Sequence, residues 1–178
     1  MGNICSSHNN NKVTQPPGNL AGLLEQSMGK DAEIVGPWGK LFMQFLRHGN
    51  QTDLEHSLAF YILAARLKAI QGSLTQGPQA RVQKELQETR ITLIHRIASS
   101  HLTVNAPQPV ALTNQVLREE LAACLPKISI KSSEKEISTA VEDIWNNPDL
   151  WMRLDSAYTT FQANKTSPSV SQVLLSML

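Results

Sequence analysis

The sequence has 178 residues, of which 41% are hydrophobic, and its 16 basic residues nearly balance 15 acidic ones, giving a formal net charge of +1. This length supports one domain with its own hydrophobic core, and the balanced charge argues against a nucleic-acid-binding surface. The only cysteines, Cys5 and Cys124, form neither a disulfide framework nor a metal cluster, and this suits a reducing compartment.

The first residues resemble a lipid-attachment signal. Gly2 follows the initiator Met1, and Ser6 occupies the position where N-myristoylation requires Ser or Thr. One myristoyl chain gives only marginal membrane binding, so a palmitoyl group on Cys5 would supply the second anchor. We therefore expect lipidation at Gly2 and Cys5 and attachment to the cytoplasmic face of the plasma membrane. The alternative is an ordinary N-terminus that matches a short motif by chance.

A polar stretch, SSHNNNKVTQPPGN, follows this signal. It contains too little apolar surface to offset the entropy lost on folding, so it is predicted to be a flexible tether. A tether of about 13 residues has an r.m.s. reach on the order of 20 Å. We predict an anchor and tether over residues 1–19 and a folded domain over residues 20–178.

From residue 20 to residue 102, apolar residues recur at helical spacing. Gly49-Asn50 and Gly77-Pro78 are predicted to end helices, and Thr52 or Asp53 is predicted to cap one. The predicted buried residues, helix by helix, are Leu41, Phe42, Phe45 and Leu46; then Leu54, Leu58, Tyr61, Ile62 and Ala65; then Val82, Leu86, Ile91 or Leu93, Ile94 and Ile97.

The second half of the chain continues the helical pattern. Residues 113–125 are predicted to be helical up to Pro126, and Ser133 with Glu136 has the spacing of a capping box. Asn147 is predicted to cap a further helix that begins at Pro148. Residues 167–178 could form a last amphipathic helix. Because there is no sustained alternation of period two and no repeat, the sequence predicts a single all-α bundle of about eight or nine helices.

The sequence contains no nucleotide-binding, zinc-protease, hydrolase or EF-hand motif. Its five histidines do not have the spacing of metal ligands. Cys124 lies in the apolar stretch LAACL, where a buried small hydrophobic residue is expected. We therefore expect no cofactor, no metal and no catalytic chemistry of the protein's own.

Four stretches, spread over residues 38–162, resemble the regulator of G-protein signalling (RGS) domain in order and spacing. Residues 42–67 are similar to that family's F-x-x-F-L motif, polar break and E-N-x-x-F-W motif. Val104-Asn105 resembles its Val-Asn pair, residues 117–126 resemble T-R-E-E-x-x-x-N-L-x-x-P, and residues 140–161 resemble A-Q-x-x-I through D-S-Y-x-R-F. The matching residues of the first and last stretches are Phe42, Phe45, Leu46, Leu58, Phe60, Tyr61, Ala140, Ile144, Asp149, Trp151, Arg153, Ser156 and Phe161.

The resemblance implies a nine-helix domain that acts as a monomer, binds an activated Gα subunit and accelerates its GTP hydrolysis. Such a domain contributes no catalytic group. It holds the switch segments of Gα in their transition-state shape, so that the arginine and glutamine of Gα act sooner. Carried over by position, the residues that would bind the partner are His56, Ser57, Cys124, Asp149 and Arg153.

Several of these positions depart from the family pattern or have a simpler explanation. His56-Ser57 replaces Glu-Asn, and Cys124 replaces an asparagine, although a thiol is a poor hydrogen-bonding group. Asp149 and Arg153 also suit a helix N-terminus and an i, i+4 ion pair. The alternatives are a tethered scaffold of the same fold without GTPase activation, and an unrelated helical adaptor. An RGS-like fold predicts that the helix over residues 53–71 packs against the helix that begins at residue 149.

Overall fold

The computed structural model describes residues 16–26, 36–103, 105–111, 116, 119 and 134–164. These residues form six α-helices and a π-helical turn, with no strand among them, in agreement with the predicted all-α class. Six is fewer than the eight or nine helices expected, and the helices predicted near residues 113–125 and 167–178 lie outside the described residues, apart from Val116 and Glu119. The helices are α1 (Leu20–Gln26), α2 (Pro37–His48), α3 (Thr52–Thr75), α4 (Ala80–Ile97), α5 (Glu134–Trp145) and α6 (Pro148–Asn164), and the π-helical turn spans Ala98–Leu102.

Helix α3 is the centre of the bundle. It contacts α1, α2, α4, α5 and α6, and it is buried on nearly every side between Leu54 and Leu67. The side chain of Tyr61 donates a hydrogen bond to the carbonyl of Ile144 (3.0 Å) and packs against Trp145 and Trp151, with both ring centroids at 5.5 Å. The residues predicted to be buried on α3 are all confirmed: Leu54, Leu58, Tyr61, Ile62 and Ala65.

The link between α2 and α3 is short and fixed by the backbone. Asn50 has a positive φ of 55°, and the amide of Gln51 donates to the carbonyl of Leu46 (2.9 Å). Gln51 is the residue that precedes α3, and no side chain caps this helix, so the predicted cap by Thr52 or Asp53 is wrong. Both residues lie inside the first turn of α3, and the carboxylate of Asp53 makes a tertiary contact with Arg153 of α6.

The predicted start of α6 is confirmed. The side-chain oxygen of Asn147 accepts hydrogen bonds from the backbone amides of Asp149 and Leu150, both at 3.1 Å, and Pro148 is the first residue of the helix. The proline lacks an amide hydrogen, which would have no helical partner at this position anyway. This cap fixes where α6 begins and therefore which residues it presents to α3.

Helix α4 is buried only towards its C-terminal end. Leu93, Ile94 and Ile97 enter the core, whereas Val82 and Ile91 are exposed. The prediction that Val82 is buried is therefore wrong, and of the pair Ile91 or Leu93 the structure selects Leu93. The periodic pattern identifies the side of α4 that faces α3, but it does not show that the first turns of α4 extend beyond the main core.

The N-terminal end of the described chain is fastened to α6. Both the hydroxyl of Tyr158 (2.8 Å) and the side-chain amide of Gln162 (2.6 Å) donate hydrogen bonds to the carbonyl of Pro17. Pro17 is buried, so residues that precede α1 also contact the helical bundle. Within the described ranges, no helix has the length and apolar content that crossing a bilayer requires.

Candidate partner-binding site

The first turn of α3 and the second turn of α6 meet at one point of the surface. The guanidinium of Arg153 donates a hydrogen bond to the carboxylate of Asp53, and about two turns further along α3 Tyr61 contacts Trp151. The packing of the helix over residues 53–71 against the helix from residue 149, which the RGS resemblance predicts, is therefore present. Asn147 and the backbone-fixed α2–α3 link place the two helix starts.

A groove of about 500 Å³ opens where these helix starts meet, and we call it the α3–α6 groove. Its lining combines apolar side chains with one ion pair and with hydroxyl and amide groups. A surface of this kind suits a short loop, because the apolar part favours a side chain and the polar part can satisfy backbone groups. The lining residues are Phe45, Gln51, Asp53, Leu54, Met152, Arg153, Ser156, Ala157 and Thr160.

The ion pair in this groove is largely exposed to solvent. The side chain of Asp53 is 63% exposed and that of Arg153 is 54% exposed. The hydrogen bond from Arg153 is the main cause that lowers the pKa of the Asp53 carboxyl below its ordinary value. Exposed pairs of this kind contribute only about 0–1 kcal/mol to stability, so a competing carboxylate could displace Asp53 at small cost.

Arg153 is thus the one predicted contact residue that lines the groove. The i, i+4 pairing of Arg153 with Asp149 is not what the structure contains, because Arg153 bonds to Asp53 instead. Asp149 is exposed in the first turn of α6, outside the groove lining. Its position agrees with the simpler expectation of a negative charge at a helix N-terminus.

The two residues predicted to replace the family's Glu-Asn pair differ in accessibility. Ser57 is buried, and its hydroxyl donates to the carbonyl of Asp53 within α3 (2.7 Å). His56 is half-buried on the same helix. A contact from the Ser57 hydroxyl to a partner would first require this internal bond to break. The roles predicted for these residues stay predictions, and Gly2, Cys5 and Cys124 lie outside the described residues.

Sequence reasoning missed three polar residues of the groove: Asp53, Gln51 and Thr160. Asp53 was considered only as a helix cap, and its partner lies 100 residues away. The available signal was an acidic residue in the first turn of one predicted helix and a basic residue in the second turn of another. That signal is useful only once the two helix starts are known to meet.

A second group of ionisable side chains lies on the side of α3 that faces α4. His101 in the π-helical turn is 2% exposed, and its Nδ1 lies 2.7 Å from the carbonyl oxygen of Gln108. Burial, together with the nearby His56 and Arg96, lowers the pKa of His101. Burial and Arg96 also lower the pKa of Arg66. Among the described residues, no three His, Cys, Asp or Glu side chains converge as a metal site would require.

No protein-family model, curated protein or solved structure matches this chain.

Proposed function

We propose that this protein is a membrane-anchored, RGS-like partner of activated Gα subunits that accelerates their GTP hydrolysis. The observation that carries the proposal is the meeting of α3 and α6 at a groove that contains Arg153. The first and last of the four stretches that resemble the RGS family contain the parts of α3 and α6 that meet there, although they lie far apart in the sequence. The all-α architecture is compatible with the same proposal.

The groove suggests how binding could assist hydrolysis. A Gα subunit with its own arginine hydrolyses GTP at only about 10⁻² s⁻¹, and each 1.36 kcal/mol removed from the barrier gives about tenfold in rate. A switch loop held in the α3–α6 groove would have its mobility restricted before the chemical step. Arg153 is suited to hold such a loop, since a guanidinium has five donors and its bond to Asp53 occupies only part of them.

A scaffold that binds Gα without activating it is the second candidate. One observation favours it: the hydroxyl of Ser57 is buried and already bonded within α3, so a donor expected at the interface is not presented. Under this proposal the α3–α6 groove still binds the partner, but the switch segments are not held tightly enough to raise the rate.

Binding measurements with the full chain test both forms of the proposal. We expect binding to Gα loaded with GDP and fluoroaluminate, and at least tenfold weaker binding to Gα loaded with GDP alone. Arg153→Ala should weaken binding to the activated form by at least tenfold. Arg81→Ala is the matched control, because Arg81 lies on α4, is 91% exposed and pairs only with Glu85 of the same helix among the contacts of the described residues.

Two results would reject the proposal. One is the absence of binding to every activated Gα class. The other is an equal effect of Arg153→Ala and Arg81→Ala, since the groove would then have no special role. A circular-dichroism melt of each variant guards against misfolding, and both substitutions remove exposed side chains, so little loss of stability is expected.

A further inference from the structure

Residues 105–111 fold back over the π-helical turn that follows α4 and are hydrogen-bonded to it. The amide of Gln108 donates to the carbonyl of Ser100 (3.0 Å), and the amide of Val110 donates to the carbonyl of His101 (3.2 Å). The imidazole of His101 supplies the third bond, to the carbonyl of Gln108. His101 therefore bonds to this segment through both its backbone and its side chain.

The hydrogen bond to Gln108 shows which ring nitrogen of His101 carries a hydrogen. A carbonyl oxygen only accepts hydrogen bonds, so Nδ1 must carry the hydrogen. The other ring nitrogen, Nε2, is buried and has no hydrogen-bond partner among the residues that the structure describes. In the neutral ring Nε2 carries only a lone pair. Burying an unpaired acceptor costs less free energy than burying a charge. The ring of Phe60 packs edge-on against the imidazole ring, with 5.8 Å between the two centroids.

Protonation would change this arrangement in an unfavourable direction. It would add a hydrogen at Nε2, where no acceptor exists, and a positive charge in a buried site. The ionisable groups that face the ring are also basic: His56 from α3 and Arg96 from α4. Segment 105–111 carries no ionisable side chain that could neutralise the charge.

We propose that His101 is a pH-sensitive switch that holds segment 105–111 closed when neutral and releases it when protonated. In the closed form the ring stays neutral. In the open form the ring reaches water and binds a proton with the ordinary pKa of about 6.5. The closed form is therefore fully favoured above that value and loses its advantage as the pH falls below it. The inference does not depend on the proposed function.

Hydrogen exchange of the full chain, followed by NMR, tests the switch. We expect the protection factors of the Gln108 and Val110 amides, corrected for intrinsic rates, to fall by up to about tenfold between pH 7.5 and 5.5, the limit for one proton. This exchange should depend little on urea and should be faster than that of the Leu58 amide in the core. Equal protection at Leu58 and Val110 would mean that the segment opens only by global unfolding, and would overturn the proposal.

Matched variants identify the titrating group. His101→Asn keeps a donor near the position of Nδ1 but cannot titrate, so the acid response should disappear. His95→Asn removes an exposed histidine from the same end of α4 and should leave the response unchanged. An acid response that survives in His101→Asn would assign it to another group, such as His56, and the proposal would be wrong.

A direct titration keeps the test decisive if His101→Asn does not fold. Ring ¹⁵N shifts of the wild-type protein should show a neutral His101 ring with hydrogen on Nδ1 at pH 6.5, the ordinary pKa of a histidine side chain. Protonation of the His101 ring should coincide with the loss of amide protection at Val110. A His101 ring that titrates at the ordinary histidine pKa of about 6.5, with no change at Val110, would contradict the switch.

Discussion

Arg153 of α6 donates a hydrogen bond to Asp53 of α3, and this contact joins two side chains that lie 100 residues apart in the sequence, each near the start of its helix. The pair is exposed and small in energy, yet it marks the place where the bundle presents a groove. We therefore expect this ion pair to position Arg153 rather than to stabilise the fold.

A double-mutant cycle of Asp53→Asn and Arg153→Gln tests this division. We expect a coupling free energy below about 1 kcal/mol at pH 7, because both side chains are more than half exposed. The pKa of Asp53 is lowered in the folded state, so the coupling should be present above its ordinary value of 3.8 and decline as the pH falls below it. Urea denaturation at pH 7 and near pH 3 measures the coupling free energy and its decline at low pH. A coupling of several kcal/mol would show that the pair is structural.

Because the phenol of Tyr61 is buried, we expect the free energy of unfolding to fall at alkaline pH. Burial raises the pKa of its phenol to about 12. The folded state therefore disfavours the ionised form, so the contribution of Tyr61 to stability is complete below pH 10 and is lost as the pH rises towards 12. Tyr61→Phe should cost about 1 kcal/mol at pH 7, since the bond to Ile144 is lost, and should reduce the decline between pH 10 and pH 12.

Urea denaturation at pH 7, 10 and 11 checks this prediction. Tyr158, the other tyrosine, also has a pKa raised by burial, so Tyr61→Phe should remove only part of the alkaline decline. An unchanged decline would mean that Tyr61 is not the group responsible.

The aromatic cluster between α2 and α6 is expected to be essential for stability. Phe42 is fully buried, with its ring centroid 5.1 Å from that of Tyr158 and 5.4 Å from that of Phe161. Phe42→Ala should lower the free energy of unfolding by about 3–5 kcal/mol. Met152→Ala, which removes a side chain that is 64% exposed, should change it by less than about 0.5 kcal/mol. Thermal melts of both variants would contradict the packing if the two losses were similar.

The lipid signal is tested separately from the groove. Gly2→Ala keeps the α-amine but adds a side chain that crowds the acyl transfer, so it should prevent N-myristoylation and move the protein from membranes to the cytosol. Cys5→Ser should weaken membrane binding but not abolish it, because one acyl chain remains. Fractionation of eukaryotic cells, together with metabolic labelling by a myristate analogue, measures both. Retention of Gly2→Ala on membranes would exclude the predicted anchor.

The sequence was informative where structure is local. Two adjacent residues, Asn147 and Pro148, are enough to identify the start of α6. Asn50, which has a positive φ, likewise marks the end of α2. The prediction for Val82 failed because periodicity shows which way a side chain faces but not whether another element covers it. The contact of Pro17 was not predicted for a similar reason, since the donors that bind its carbonyl are contributed by the distant helix α6.

The site was less predictable than the fold. Arg153 was identified through its resemblance to a family motif, and its partner Asp53 was not, because ion pairs between distant helices leave no periodic signal. The buried imidazole of His101 was likewise not identified. Its environment depends on a carbonyl seven residues later in the chain and on basic side chains from two other helices.

Single-turnover GTP hydrolysis by a panel of Gα subunits, with and without the full chain, tests the central claim most directly. We predict acceleration of at least one Gα class, loss of that acceleration in Arg153→Ala and its retention in Arg81→Ala. Cys124→Asn, which restores the family residue, should raise the rate further. Binding without acceleration would support the scaffold. Neither binding nor acceleration with any Gα would contradict the account.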